Sequence, residues 1–259
     1  METYWIDGIE ETLTAEEAQL FDVSNPRTIG VFETLRTYEG KIFKLDEHLA
    51  RLKNSAKLLR FDLPVSIAEI GEFLKKATGE TSASSASPTD LRLKCVATSE
   101  HVYIQTMPLL VDPSIYKGVP VISVMSMRRQ PTAKALPYNT SFEAHALAKE
   151  QGAYEAILVD KKGEVTEGAY SNIFWVKDGK IYTRKEGVLE GITRKGVLEL
   201  IPVEFQNITL EELKKVDELF LTKTTTGPVP IIRLNDLPIG TGEPGHLTQE
   251  LIQKFHLHT

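Results

Sequence analysis

The chain has 259 residues, enough to bury a large core as one big domain or two smaller ones. It is 41% hydrophobic and 25% charged, with a formal net charge of −6. Its basic residues are spread rather than clustered, which argues against a nucleic-acid partner, and no window approaches the ~20 apolar residues that cross a bilayer.

The opening residues lack a basic stretch followed by an apolar one, so no signal peptide is expected. Tyr4–Ile6 reads as a short strand turned back at Asp7 and Gly8. Residues Gly30 to Tyr38 alternate and are rich in β-branched and aromatic side chains; with Lys41–Leu45 they predict a hairpin. From Asp46, read as an N-cap, apolar residues at 49, 52, 56 and 59 predict a helix ending at Phe61. A second helix is expected over Ile67–Thr78, after Ser66. The run from Gly79 to Thr89 is apolar-poor and reads as a mobile loop. Strands Leu91–Thr98 and Val102–Met107 follow, joined at Ser99 to His101. The single cysteine, Cys95, lies in the first of them and reads as a buried small hydrophobe, with no metal cluster around it. A reducing cytoplasm fits that usage.

The prolines of Pro108–Gly118 mark a boundary between a small N-terminal domain (1–108) and a larger C-terminal one (119–259), with 109–118 as linker. Beyond it the patterns predict a strand at Val119–Met125, a helix at Asn139–Gln151 and a strand at Glu155–Asp160. A hairpin follows (Val165–Trp175 with Lys180–Thr183), then a helix at Thr193–Ile201 and a helical turn at Leu210–Lys215. Strands Glu218–Thr222 and Ile231–Leu234 and a helix at Leu247–Phe255 close the chain. This interleaving without a strict βαβ repeat suggests two α+β domains. No glycine-rich nucleotide loop occurs.

Four segments are more specific than a core requires. In His48 to Leu52, Arg51 adjoins the apolar positions 49 and 52; alone it reads as a solvated helix arginine, though its head could leave the helix toward a neighbouring domain. Lys134 stands among small and apolar residues between Pro131 and Pro137, where burial would favour the free amine that Schiff-base chemistry needs. Glu167, followed by Gly168 and small polar residues, is either a turn residue or a buried carboxylate with a cationic partner. Gly191 opens a helix and Thr193 adds a hydroxyl, a start that can hold a phosphate as any helix N-terminus can.

Taken in order, these segments resemble the class IV aminotransferase family, which includes branched-chain and D-amino acid aminotransferases and aminodeoxychorismate lyase. The likeness begins at Gly30 to Arg36 and His48 to Ala56 and takes in Lys134. It continues through Glu155 to Asp160, Thr166 to Gly168, Ser171 to Phe174, Gly191 to Arg194 and Asp217 to Thr224. The resemblance implies a fold-type IV α+β enzyme dependent on pyridoxal 5′-phosphate (PLP), with a small N-terminal α/β sandwich domain and a larger domain built on a pseudo-barrel sheet. It implies a homodimer that moves an amino group between an amino acid and a 2-oxo acid by a ping-pong mechanism.

It also implies roles. Lys134 is the Schiff-base lysine and Glu167 the partner of the ring nitrogen. Arg51, the backbone at Ile192 and Thr193, and Thr224 form a phosphate cup, and Tyr138 lies against the phenolic oxygen. Phe32 and Arg36 face the substrate. Branched-chain members carry an arginine where this chain has Lys94, with Arg92 on the same strand face; the D-specific Arg-x-His loop is missing, leaving Ser99 to His101. The substrate carboxylate is therefore expected to meet Arg36, Arg92 or Lys94. The motifs do not separate transamination from the β-elimination of 4-amino-4-deoxychorismate lyase, which begins at the same Cα carbanion. A non-catalytic binding module is the remaining alternative, disfavoured because both the lysine and the carboxylate are present.

Overall fold

A computed structural model of the protein describes residues 2–79 and 89–259. Most of the loop expected at Gly79–Thr89 thus lies outside the described residues. Contacts divide the chain into two compact units, Met1–Leu110 with Ala133–Asn139, and Val111–Thr132 with Thr140–Thr259. Residues 133–139, which follow the expected linker in sequence, pack with the first unit because part of them forms a strand on its sheet.

In chain order the elements are β1 (Thr3–Ile6), β2 (Ile9–Glu11), α1 (Ala15–Ala18), β3 (Gly30–Tyr38), β4 (Lys41–Ile42), α2 (Leu45–Leu58), α3 (Ile67–Thr78), β5 (Leu91–Ala97) and β6 (Val102–Pro108). There follow β7 (Val119–Met125), β8 (Ala135–Leu136), α4 (Asn139–Glu150), β9 (Glu155–Val159), β10 (Val165–Gly168), β11 (Asn172–Lys177) and β12 (Lys180–Thr183). The last are α5 (Ile192–Leu200), β13 (Glu204–Phe205), α6 (Leu210–Leu213), β14 (Glu218–Lys223), β15 (Gly227–Leu234), β16 (Leu237–Pro238) and α7 (His246–Leu257).

The first unit is a sheet of order β2-β1-β6-β5-β3-β4, with β8 on β3. Side chains alternate across a strand, so one face carries Val31, Leu35, Leu93, Cys95 and Ile104, which bury against Leu52 and Ala56 of α2 and Ile70 and Leu74 of α3. Each Val, Leu and Ile among them contributes roughly 1.5–3 kcal/mol on full burial. The opposite face carries Phe32, Thr34 and Arg36 of β3 beside Val96, Lys94 and Arg92 of β5. Ser66 and Glu69 form the capping box that starts α3. Asp46 is not the cap of α2, as its spacing suggested. The expected strand stops at Ile42, Lys44 takes a left-handed turn (φ 49°), and Asp46 and Glu47 fall in the first helical turn, where their charge complements the helix dipole.

The second unit holds a sheet of order β10-β9-β7-β15-β14-β11-β12-β13, with β16 on β15. The expected hairpin strand Val165–Trp175 is broken at residues 169–171 into β10 and β11. These strands lie five spacings apart along the sheet, about 24 Å if it were flat, whereas the connection between them reaches at most ~14 Å. The sheet must therefore curl, and the Gly168 N–H bonds to the Ser171 carbonyl at 2.8 Å across the closure. Inside lie Val121, Ile157, Ile173, Leu219, Leu221 and Val229; Ala144 and Ala148 of α4 pack against Ala156 and Leu158 on another side. Among the described residues no helix is long and apolar enough to cross a membrane.

Candidate functional site

In the first unit, Lys134 is held by its backbone. Its carbonyl accepts the Phe32 N–H at 3.0 Å, and its own N–H donates to Ser55 Oγ on α2 at 3.0 Å. Its Nζ lies 4.6 Å from the centroid of the Phe32 ring and 5.5 Å from that of Tyr138, two rings that meet edge to face at 5.3 Å. Lys94 Nζ lies over the same Phe32 ring, at 5.6 Å, and donates to the Phe21 carbonyl. Burial, with Arg92 nearby, pushes the Lys94 ammonium down to about 8. Phe32, Lys94, Lys134 and Tyr138 are thus brought together.

Arg51 is not a solvated helix arginine. It is buried, and its fork grips Glu33, Nε to Oε1 at 2.8 Å and Nη2 to Oε2 at 2.6 Å. His48 Nδ1 lies 2.8 Å from Oε2. Burial acts to raise the Glu33 carboxyl, but Arg51 and His48 outweigh it and hold the group at about 2. Glu33 and His48 went unread in the sequence because a strand residue and a helix residue meet here across the packing interface. Arg36 is committed elsewhere: Nη2 pairs with Asp90 at 2.5 Å, Nε donates to the Thr37 carbonyl at 3.2 Å, and the guanidinium lies 3.7 Å over the Tyr38 ring. Arg92 contrasts with it. Its Nη1 reaches Met107 Sδ at 3.5 Å, and it makes no ion pair among the described residues.

In the second unit, Glu167 is buried on β10 and paired. Arg128 donates from Nε at 2.8 Å and Nη2 at 2.5 Å to Oε1, and the Leu189 N–H donates to Oε2 at 3.0 Å. Arg128 also donates to the Pro131 carbonyl. In sequence Arg128 and Arg129 look like an ordinary basic dipeptide; only the fold shows that the first turns inward. Asn172 Nδ2 donates to the Leu189 carbonyl at 2.8 Å, fixing the stretch that leads into α5.

Gly191 is the N-cap of α5, and no side chain caps the helix. A Cβ at residue 191 would overlap Asn172 Oδ1, so glycine is required by close approach. Thr193 is buried in the first turn, and α5 packs against β14. Across from Asn172, the Thr222 Oγ is buried without a hydrogen-bond partner among the described residues. Thr224 lies half-buried in the turn between β14 and β15. An uncapped helix start, a hydroxyl in its first turn and an orphaned hydroxyl on the neighbouring strand fit a phosphate monoester. An arginine-paired carboxylate fits a protonated ring nitrogen.

The Amino-transferase class IV family description matches residues 30–234. A protein of Thermotoga maritima described as a probable branched-chain-amino-acid aminotransferase is 35% identical over 236 residues, 87% of this chain and 84% of that one. The D-alanine aminotransferase of Bacillus licheniformis is 33% identical over 240 residues, 86% and 84% of the two chains. Among solved structures, a T.th. branched-chain amino acid aminotransferase with pyridoxamine 5′-phosphate superposes with a TM-score of 0.82 at 28% identity, over 98% of this chain and 92% of that one.

Proposed function

Because the chain belongs to the class IV aminotransferases, which work through pyridoxal 5′-phosphate, we propose that Lys134 Nζ holds the cofactor at its aldehyde carbon and Glu167 meets its ring nitrogen. The cofactor supplies an electron sink for the bond broken at the amino acid's Cα. Once the amino acid's amine has displaced it from the aldehyde carbon, the freed Lys134 amine takes the proton from Cα and returns it to the carbon it had held, on the other side of the nitrogen. Phe32 and Tyr138 beside its Nζ limit where the amine can swing. Arg128 beside Glu167 fixes the direction of its carboxylate.

The N–H groups of Ile192 and Thr193, the hydroxyls of Thr193 and Thr224, and Arg51 hold the phosphate. Glu33 fixes the direction of the Arg51 fork. Tyr138 lies against the phenolic oxygen. Phe32, Arg92 and Lys94 face the substrate, an amino acid or a 2-oxo acid. Arg36, bound to Asp90, serves the strand rather than the substrate carboxylate. None of the relatives described above is a lyase, and no contact among these residues favours elimination. The family resemblance further supports a cytoplasmic homodimer whose small and large domains correspond to the two compact units.

The observation that carries this reading is the placement of Lys134, an amine set over two aromatic rings with its backbone tied to both β3 and α2. Borohydride reduction of the PLP-loaded protein followed by peptide mapping tests it. The adduct is expected on Lys134, and an adduct on another lysine overturns the assignment.

A further inference from the structure

Glu155 opens β9 and is fully buried, yet none of the roles above uses it. Its Oε1 lies 3.2 Å from His145 Nδ1 and accepts the Ala156 N–H at 3.0 Å. Its Oε2 accepts the Tyr170 N–H at 3.3 Å and lies 3.5 Å from Lys223 Nζ. The same ammonium lies 5.0 Å from the Tyr154 ring centroid and 6.0 Å from that of Tyr170. Burial acts to raise the carboxyl, but Lys223, His145 and the Ala156 N–H outweigh it and hold it below its ordinary range.

A buried ion pair is a poor way to gain stability, since apolar residues of the same volume often serve as well. What such a pair does supply is geometry. Two of its partners sit at the parts of this unit assigned to the cofactor. Tyr170 lies in the three-residue connection between β10, which carries Glu167, and β11, which begins at Asn172. Lys223 is the last residue of β14, between Thr222 and Thr224. Strand side chains alternate, so a Lys223 drawn toward Glu155 sends its neighbour Thr222 to the other face, beside Asn172. β9 and β14 are three places apart in the sheet, and the pair bridges them only because the sheet curls.

We propose that Glu155 is a positioning residue for the cofactor: holding the Tyr170 backbone and the Lys223 ammonium together, it keeps the loop after Glu167 and the turn bearing Thr224 in register. This rests on the reading of Glu167 and Thr224 as cofactor residues.

Fluorescence titration of the apoprotein with PLP tests it, using wild type, Glu155→Gln, Thr224→Ala and the double variant, with thermal melts of each apoprotein alongside. Glu155→Gln is expected to weaken PLP binding by about tenfold or more, the scale on which supporting residues of a ligand shell act, while the apoprotein Tm moves by only a few degrees. Thr224→Ala is expected to weaken binding less in the Glu155→Gln background than alone, because the turn is already displaced. Where Glu155→Gln does not fold, Lys223→Met tests the same link from its other end by the same two criteria. Binding within twofold of wild type, or full additivity with a weakened Thr224→Ala, overturns the proposal alone. Unweakened binding by Thr224→Ala itself overturns the assignment of Thr224, and the proposal with it.

Discussion

Two buried carboxylates are each gripped by an arginine fork, in different surroundings. Glu33 is a mid-strand residue whose partners, Arg51 and His48, both stand on α2, so the triad lies wholly within regular structure. Glu167 sits near the end of β10 and takes its partners from irregular segments, Arg128 after β7 and the Leu189 N–H ahead of α5. A pair set between packed strand and helix is rigid support. One assembled from a strand end and two loops depends on irregular segments, the kind of segment that carries binding groups on a rigid scaffold. The same chemical pair is thus built from rigid elements in one place, where it aims Arg51, and from a strand end and loops in the other.

Lys134→Ala sets the scale for breaking that contrast. Turnover is expected to fall at least a thousandfold, on the order of the general-base contribution, with little change in Tm. Steady-state assay and a thermal melt check both halves. Next comes Glu167→Gln, expected to keep PLP but to lower kcat by about a hundredfold, as when one preorganised electrostatic partner is removed. A kcat near that of wild type would erase the difference between the two carboxylates.

Glu33→Gln should do the reverse. Losing one member of a buried pair costs roughly 3–5 kcal/mol of stability, with kcat at saturating PLP changed only severalfold. Its pH signature follows from the native carboxyl lying at about 2 against an ordinary 4.5. The unfolded chain binds the proton first, so this contribution, about 3 kcal/mol, is complete above pH 4.5 and is lost as pH falls through 2. His48 acts in the same direction. Burial lowers its pKa in spite of Glu33, so its contribution is present above its ordinary 6.5 and fades in acid. Acid unfolding followed by circular dichroism should therefore be less steep below pH 4.5 in Glu33→Gln than in wild type.

The smallest effect separates the strand cations. Arg92→Met and Lys94→Met are each expected to raise KM for amino acids about tenfold, the value of one charge-assisted contact, and to spare amines without a carboxylate. Arg36→Met, which releases Asp90, should register in Tm more than in KM. A KM effect largest at Arg36 would reverse the assignment.

Much of this was legible along the chain. The expected bounds of β3, α3 and β7 match their final residues, because strand patterning and a helix start after Ser66 are local signals. The ordered motifs carried the family, and with it the roles proposed for Lys134 and Glu167. The end of the β4 hairpin and the start of α2 were misplaced, since an aspartate at a helix start fits a cap and a first turn equally well.

By itself, then, the sequence determined whatever depends on neighbours a few residues apart: strand and helix type, the capping box, and the short motifs that mark the family. Tertiary structure alone decided which charges meet. Arg51 finds Glu33, Arg128 finds Glu167, and Glu155 finds Lys223, across 18, 39 and 68 positions of chain respectively. Arg36, Arg51 and Arg128 look alike in sequence, and Arg92 differs from them only once the sheet is built. The reason is physical: a buried charge is tolerable only beside its counter-charge, and what lies beside it is set by packing rather than by spacing.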